Sequence, residues 1–207
     1  LRSDKPHLNK DRKGVKKEMK KLLRNFALVM ILGLLLLMAG CSSTGGYYDL
    51  SSWSPPSDPA FTSFVNSMDS PAKITSWIRG NCTFVVNYDT VKSPYEFWKT
   101  KSGDCSEGAA LCSYCLHQHG YTTYQTHILY TDGLAHRICI YKSGSGYCYT
   151  SYHQTGCYYY PSSYTLPNFR ACVNDWDSRS THTVSGYTVW DWNYNVVETS
   201  GDKKVYD

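Results

Sequence analysis

The sequence predicts an α+β fold, with helices first and an antiparallel β-sheet after them. Three observations predict it. Between residues 60 and 118, apolar residues recur at helical spacing behind residues that cap helices. Beyond residue 120 the pattern changes to β-rich runs of Tyr, Thr, Ile and Val. Those runs are separated by Thr131-Asp132-Gly133 and Ser143-Gly144-Ser145, short turn-forming stretches that suit hairpins and not helical crossovers.

Each element has its own local reason. Ser57-Asp58-Pro59 offers a cap, and Phe61, Phe64, Val65 and Met68 follow at helical spacing, so residues 60–68 read as a first helix. Ser70-Pro71 starts a second, with proline at the first helical position, which runs to Arg79 before Gly80. Phe84–Tyr88 is short and β-prone. Ser93 followed three residues later by Glu96 is a capping box, opening a further turn of helix through Trp98. From Ser106 the small and apolar residues Ala109, Ala110, Leu111, Cys112, Cys115 and Leu116 make a helix over 106–118, with Gly120 as its stop. Thr122–Tyr130, Ala135–Lys142 and Gly146–Tyr152 then form a meander, and Tyr187–Glu198 adds a hairpin.

The chain has 207 residues, enough for one domain with a sizeable core, and 42% hydrophobic with 15% aromatic residues argues against disorder. The net charge of +4 is misleading as a guide to partners. Residues 1–40 hold ten Lys/Arg against three Asp/Glu, whereas residues 41–207 hold eleven against fourteen. The domain is therefore slightly acidic, which removes the electrostatic motive for a nucleic-acid partner. The many tyrosines and tryptophans serve core and strands, or a recognition face, of which Tyr158-Tyr159-Tyr160 is the expected exposed patch.

The basic N-terminus has a separate explanation. From Met19 the chain reads MKKLLRNFALVMILGLLLLMAGC: a positive stretch, an uncharged run from Phe26 to Ala39, then small residues before Cys41. The run is short for a membrane span, which needs roughly 20 apolar residues. It resembles a bacterial lipoprotein signal, residues 19–40, with the lipobox Leu37-Met38-Ala39-Gly40-Cys41; Met38 stands where Leu is usual. The resemblance implies cleavage before Cys41, diacylglycerol on its sulfur and acylation of the new amino group. That puts the domain outside the cytoplasm, tethered to the cell membrane or the outer membrane; Ser42 is compatible with outer-membrane sorting. An uncleaved anchor helix is the alternative and places the domain on the same side. Residues 1–18 fit no signal class and read as upstream sequence that is not native. Residues 41–59, rich in Ser, Gly and Pro, read as a flexible tether to a domain spanning 60–207.

Chemistry concentrates in KSGDCSEGAALCSYC, residues 101–115. Cys112 and Cys115 form C-x2-C, but zinc ligands of that pattern normally have a second pair nearby, and these sit inside a helix. They read as packing or bridging residues. Export permits disulfides among the eight cysteines after Cys41, with no connectivity derivable. Cys105 differs by position. It follows Gly103-Asp104 and precedes the helix, where backbone N–H groups and the positive end of the helix dipole stabilise a thiolate. A nucleophilic thiol needs a base. His117 and His119 lie at the far end of the same helix, while His136 opens the strand His136-Arg-Ile-Cys-Ile-Tyr. Asp104 is the helix cap.

Ser93-Pro94 through Trp98, Gly103-Asp104-Cys105, the small-residue helix to Leu116, Gly120-Tyr121 and the strand His136 together resemble the transglutaminase-like branch of the papain-type thiol enzymes. The resemblance covers about residues 71–153. It implies a nucleophile-bearing helix packed on an antiparallel sheet, catalytic Cys105 and His136, and no metal or organic cofactor. It also implies a third polar residue, usually Asp, on the next strand. Here that position holds Ser151, with His153, Gln154, Asp175, Asp177 and Asp191 as alternatives. Serine can fix the imidazole tautomer but carries no charge. The activity implied is acyl transfer on a peptide or protein amide, plausible at the cell wall: a peptidase or amidase if water resolves the thioester, a cross-linking transglutaminase if lysine does. A catalytically impaired binding module on the cell surface is the alternative that the missing Asp favours.

Overall fold

The structure is a computed structural model. It describes residues 49–86, 90–154, 156–160 and 164–201. The expectations for residues 1–40 and Cys41 lie outside the described residues. The fold is α+β, as the sequence predicts. In chain order the elements are α1 (Pro59–Ser67), α2 (Pro71–Asn81), β1 (Thr83–Phe84), α3 (Pro94–Thr100), β2 (Ser102–Gly103), α4 (Cys105–Gln118), β3 (Thr123–Tyr130), β4 (Ala135–Ser143), β5 (Gly146–His153), β6 (Gly156–Tyr159), α5 (Phe169–Asp177), β7 (Val184–Trp190) and β8 (Val196–Ser200). Six strands form one sheet in the order β6-β5-β4-β3-β7-β8, every pair antiparallel.

The helix starts are set by their caps. Asp58 accepts hydrogen bonds from the N–H groups of Ala60 (2.8 Å) and Phe61 (3.2 Å). The capping box of α3 is reciprocal: Ser93 Oγ accepts from Glu96 N at 3.2 Å, and Glu96 Oε2 accepts from Ser93 N at 2.9 Å. Helix α2 continues through Gly80 to Asn81 instead of stopping at Arg79. A glycine inside a helix costs only about 1 kcal/mol, and the packing of Ile74 and Ile78 on the core outweighs it.

Strand alternation sorts the core onto two faces of the sheet. On one face Cys139, Tyr141, Cys148 and Tyr152 pack with α4 and, beyond it, with Phe61, Phe64, Ile74 and Ile78 of α1 and α2. On the other face Ile128, Tyr130, Ile138, Ile140 and Tyr149 pack with Cys172, Val173 and Trp176 of α5. Leu50, 2% exposed, and Trp53, which meets the Tyr114 ring edge-on, also belong to the first cluster. The second part of the stretch read as a tether is thus held on the domain by its two apolar side chains. The tyrosine run is corrected too: Tyr158, Tyr159 and Tyr160 are half-buried, because β6 joins the sheet edge and Tyr160 packs on both clusters.

Candidate active site

Helix α4 starts where the sequence places it, with Cys105 at the first helical position. The turn before it is tied down by two carboxylates. Asp104 caps the helix by accepting from Ser106 N at 2.8 Å, and Glu107 reaches back to accept from Asp104 N at 2.8 Å and from Lys92 N at 3.1 Å. Glu107 can fold back because Gly103 has no side chain: a Cβ there would come within 3.0 Å of it. In Gly103-Asp104-Cys105, then, the glycine clears space, the aspartate caps and the cysteine stands at the helix entrance. Cys105 is 1% exposed.

The helix is seated against the sheet by a second glycine. A Cβ on Gly108 would lie 2.6 Å from Tyr152 Cβ, so only glycine allows this approach of α4 to β5. Tyr152 lies near the end of β5, beside the start of β4, so the N-terminus of α4 reaches the rim of the sheet where β4 begins.

His136 is the second residue of β4, and Ser151 pairs with Ile138 two residues on. His136 and Ser151 are therefore diagonal neighbours on one face. Their side chains meet: His136 Nε2 and Ser151 Oγ are 2.7 Å apart, at 8% and 2% exposure. When the serine oxygen accepts from Nε2–H, Nδ1 is the ring nitrogen left to act as a base. The indole of Trp176, from α5, lies over the imidazole with centroids 4.5 Å apart and planes 14° from parallel. Trp176 Nε1 donates to Tyr130 Oη at 2.8 Å.

Tyr130 is thereby joined to the imidazole through Trp176. Its phenol is pushed up to about 12, chiefly by burial, with the charge of Cys105 acting in the same direction and the Trp176 and Ser180 side chains opposing. The buried His127, on the helix-facing side of β3, is pushed well below the ordinary histidine range by burial, with Arg137 and His136 adding to the effect.

Asp175 is engaged elsewhere, accepting from Tyr149 Oη at 2.6 Å and from Arg179 Nε at 3.0 Å. Asp191 accepts from Asn195 N at 2.8 Å in the β7–β8 turn. His153 borders Trp176 on its other side, with ring centroids 5.5 Å apart. Cys112 and Cys115 are core residues of α4, and none of the eight described cysteines is in a disulfide.

Trp176 and Tyr130 are the site residues that the sequence reading missed. A signal for the first was present. Asn168 accepts from Ala171 N at 2.8 Å as a helix cap, and Phe169, Cys172, Val173 and Trp176 follow at helical spacing. Nothing local distinguishes Tyr130 from the other tyrosines.

No protein-family model matches the sequence, and no curated protein matches it. Three structures of Legionella pneumophila LapG are similar to it. One has a TM-score of 0.41 at 15% identity, covering 67% of this chain and 78% of that one. The calcium-bound form has 0.35 at 18%, covering 61% and 94%, and the EGTA-treated form 0.40 at 16%, covering 74% and 87%.

Proposed function

We propose that this protein is a thiol acyl-transfer enzyme, a cysteine peptidase or amidase acting on peptide or protein amides outside the cytoplasm, held to a membrane by lipid on Cys41. The observation that carries the reading is the buried His136–Ser151 hydrogen bond of 2.7 Å, which orients an imidazole on the strand that begins at the rim reached by the Cys105 helix. Cys105 loses its proton to Nδ1 of His136, and the sulfur attacks the amide carbonyl carbon. The imidazolium then protonates the departing amine, leaving a thioester. Water activated by the same imidazole resolves it to the acid and the free thiol; an amine in place of water gives transamidation. The N–H of Cys105, in the first turn of α4, supplies one donor to the oxyanion. A second reading, a binding module with an impaired site, is favoured by Ser151 standing where an aspartate is usual.

The test is to incubate the protein with denatured casein and a fluorescent primary amine. New amino termini report hydrolysis, and fluorescence on casein reports transamidation. Loss of either product in Cys105→Ala supports acyl transfer. No product from the unaltered protein, or product that persists in Cys105→Ala, counts against it.

A further inference from the structure

We infer that Trp176 is a positioning residue acting through His136: the face of its indole supplies the negative potential that the imidazole lacks because Ser151 stands where a carboxylate is usual. The inference rests on the thiol acyl-transfer reading above and adds to it what favours the charged form of the histidine.

The contact has the geometry of a cation over an aromatic face. The His136 imidazole and the Trp176 indole are 14° from parallel with centroids 4.5 Å apart, inside the roughly 6 Å over which a ring face attracts a cation. Tryptophan offers the strongest such face among the aromatic side chains. Both residues are 8% exposed, so water screens the contact little, and a desolvated contact is the stronger kind. The other histidine near the indole, His153, lies 5.5 Å away and tilted by 52°, and burial disfavours its charged form.

No carboxylate takes this part. Among the described residues His136 is in no ion pair. Its ring nitrogen meets the neutral Ser151 hydroxyl at 2.7 Å, and Asp175, next to Trp176 in α5, is taken up by Tyr149 and Arg179. A hydroxyl orients the ring but does not balance its charge. The indole face over the ring is placed to do so.

The indole is held from the strands on either side of the histidine strand. β4 lies between β3 and β5. From β3, Tyr130 Oη accepts from Trp176 Nε1 at 2.8 Å. From β5, Tyr149 Oη donates to Asp175 Oδ2 at 2.6 Å, and the Tyr149 ring stands across the indole at 82°. Consecutive residues of α5 are thus each tied to a tyrosine of the sheet, which fixes the indole over the imidazole in advance. The Tyr130 bond also polarises the indole, because an N–H that donates leaves its ring richer in negative charge. Trp176 exchanges no proton itself. When Cys105 gives its proton to Nδ1, the positive charge forms on a ring that already faces the indole, without rearrangement at that moment.

The test weakens the indole face while keeping its shape. Tryptophans carrying one, two and three ring fluorines are placed at position 176 alone in the full chain, by stop-codon suppression in cell-free translation. Fluorine barely enlarges the ring and makes the N–H a better donor, so packing and the Tyr130 bond survive while the negative face is drained. The readout is the rate at which iodoacetamide alkylates Cys105 at neutral pH, where the thiolate sulfur forms the C–S bond and iodide leaves, located by mass spectrometry. The rate is expected to fall stepwise with each fluorine, toward the roughly 5- to 30-fold loss expected for Trp176→Leu, which removes a desolvated cation–π contact. The fluorine series decides the matter if Trp176→Leu does not fold. In His136→Gln the series is expected to show no trend, because the charge that the indole senses is gone. A rate indifferent to fluorine while Cys105 still reacts ahead of the other thiols, or the same trend persisting in His136→Gln, overturns the role of Trp176 and leaves the thiol reading standing. A Cys105 that has no advantage over the other thiols in the unaltered protein overturns the thiol reading itself, and the role of Trp176 with it.

Discussion

Removing the Ser151 hydroxyl isolates what an uncharged orienting residue contributes. In Ser151→Ala, His136 Nε2–H loses an acceptor at 2.7 Å in a place where water cannot replace it, because both residues are buried and Trp176 covers the ring. Hydrogen bonds to charged groups contribute about 1.5–3 kcal/mol, and in the proposed mechanism the imidazolium formed when Cys105 gives up its proton is the charged form at risk. At about 1.4 kcal/mol per factor of ten, Cys105 should be alkylated by iodoacetamide roughly 10- to 150-fold more slowly at neutral pH. Ser151→Thr, which keeps the hydroxyl, should restore most of the rate, and Ser151→Asp, which adds the missing charge, should match or exceed it. The assay is the pseudo-first-order rate of Cys105 modification followed by mass spectrometry. Unchanged alkylation in Ser151→Ala would refute the idea that this serine holds the imidazole in its working state.

Gly108→Ala should destabilise the protein by about 1–3 kcal/mol in chemical denaturation, because a Cβ placed 2.6 Å from Tyr152 Cβ overpacks the interface by more than the ~1 kcal/mol of helix propensity that alanine adds. Asp104→Ala should lower stability by about 0.5–2 kcal/mol through loss of the α4 cap, read the same way. Cys82, whose thiol burial pushes up to about 12 against the pull of Lys101, should remain largely unmodified at neutral pH while Cys105 reacts. Stability should fall as pH rises from about 10, where an unfolded tyrosine ionises, toward 12, where folded Tyr130 does, since over that interval the folded state holds the proton that the unfolded state releases. Alkaline denaturation should show a shallower slope in Tyr130→Phe.

Much of this architecture is legible in the sequence because it is local. The caps Asp58, Ser93 and Asp104 act within three residues of themselves, and Gly120, at φ +81°, ends α4 as its lack of a Cβ allows. The β4–β5 hairpin is short enough that the turn around Gly144 sets its register, and register alone brings Ser151 beside His136. What the sequence hides is long-range. Trp176 meets His136 and Tyr130 across forty and forty-six residues, so no spacing rule relates them. Gly80 misled as a stop because a helix tolerates glycine when flanking residues are anchored. The Tyr158–Tyr160 run looked like surface because hydropathy cannot tell a solvated face from a strand that completes a sheet edge.

The central claim is that His136 activates Cys105. Its most direct measurement is the pH dependence of Cys105 alkylation in the unaltered protein and in His136→Ala. The account predicts that Cys105 reacts faster than every other thiol at neutral pH, and that His136→Ala abolishes this advantage and moves its reactivity to the alkaline range of an ordinary thiol. A Cys105 that reacts no faster than its neighbours, reacts identically without His136, or is recovered in a disulfide would contradict it.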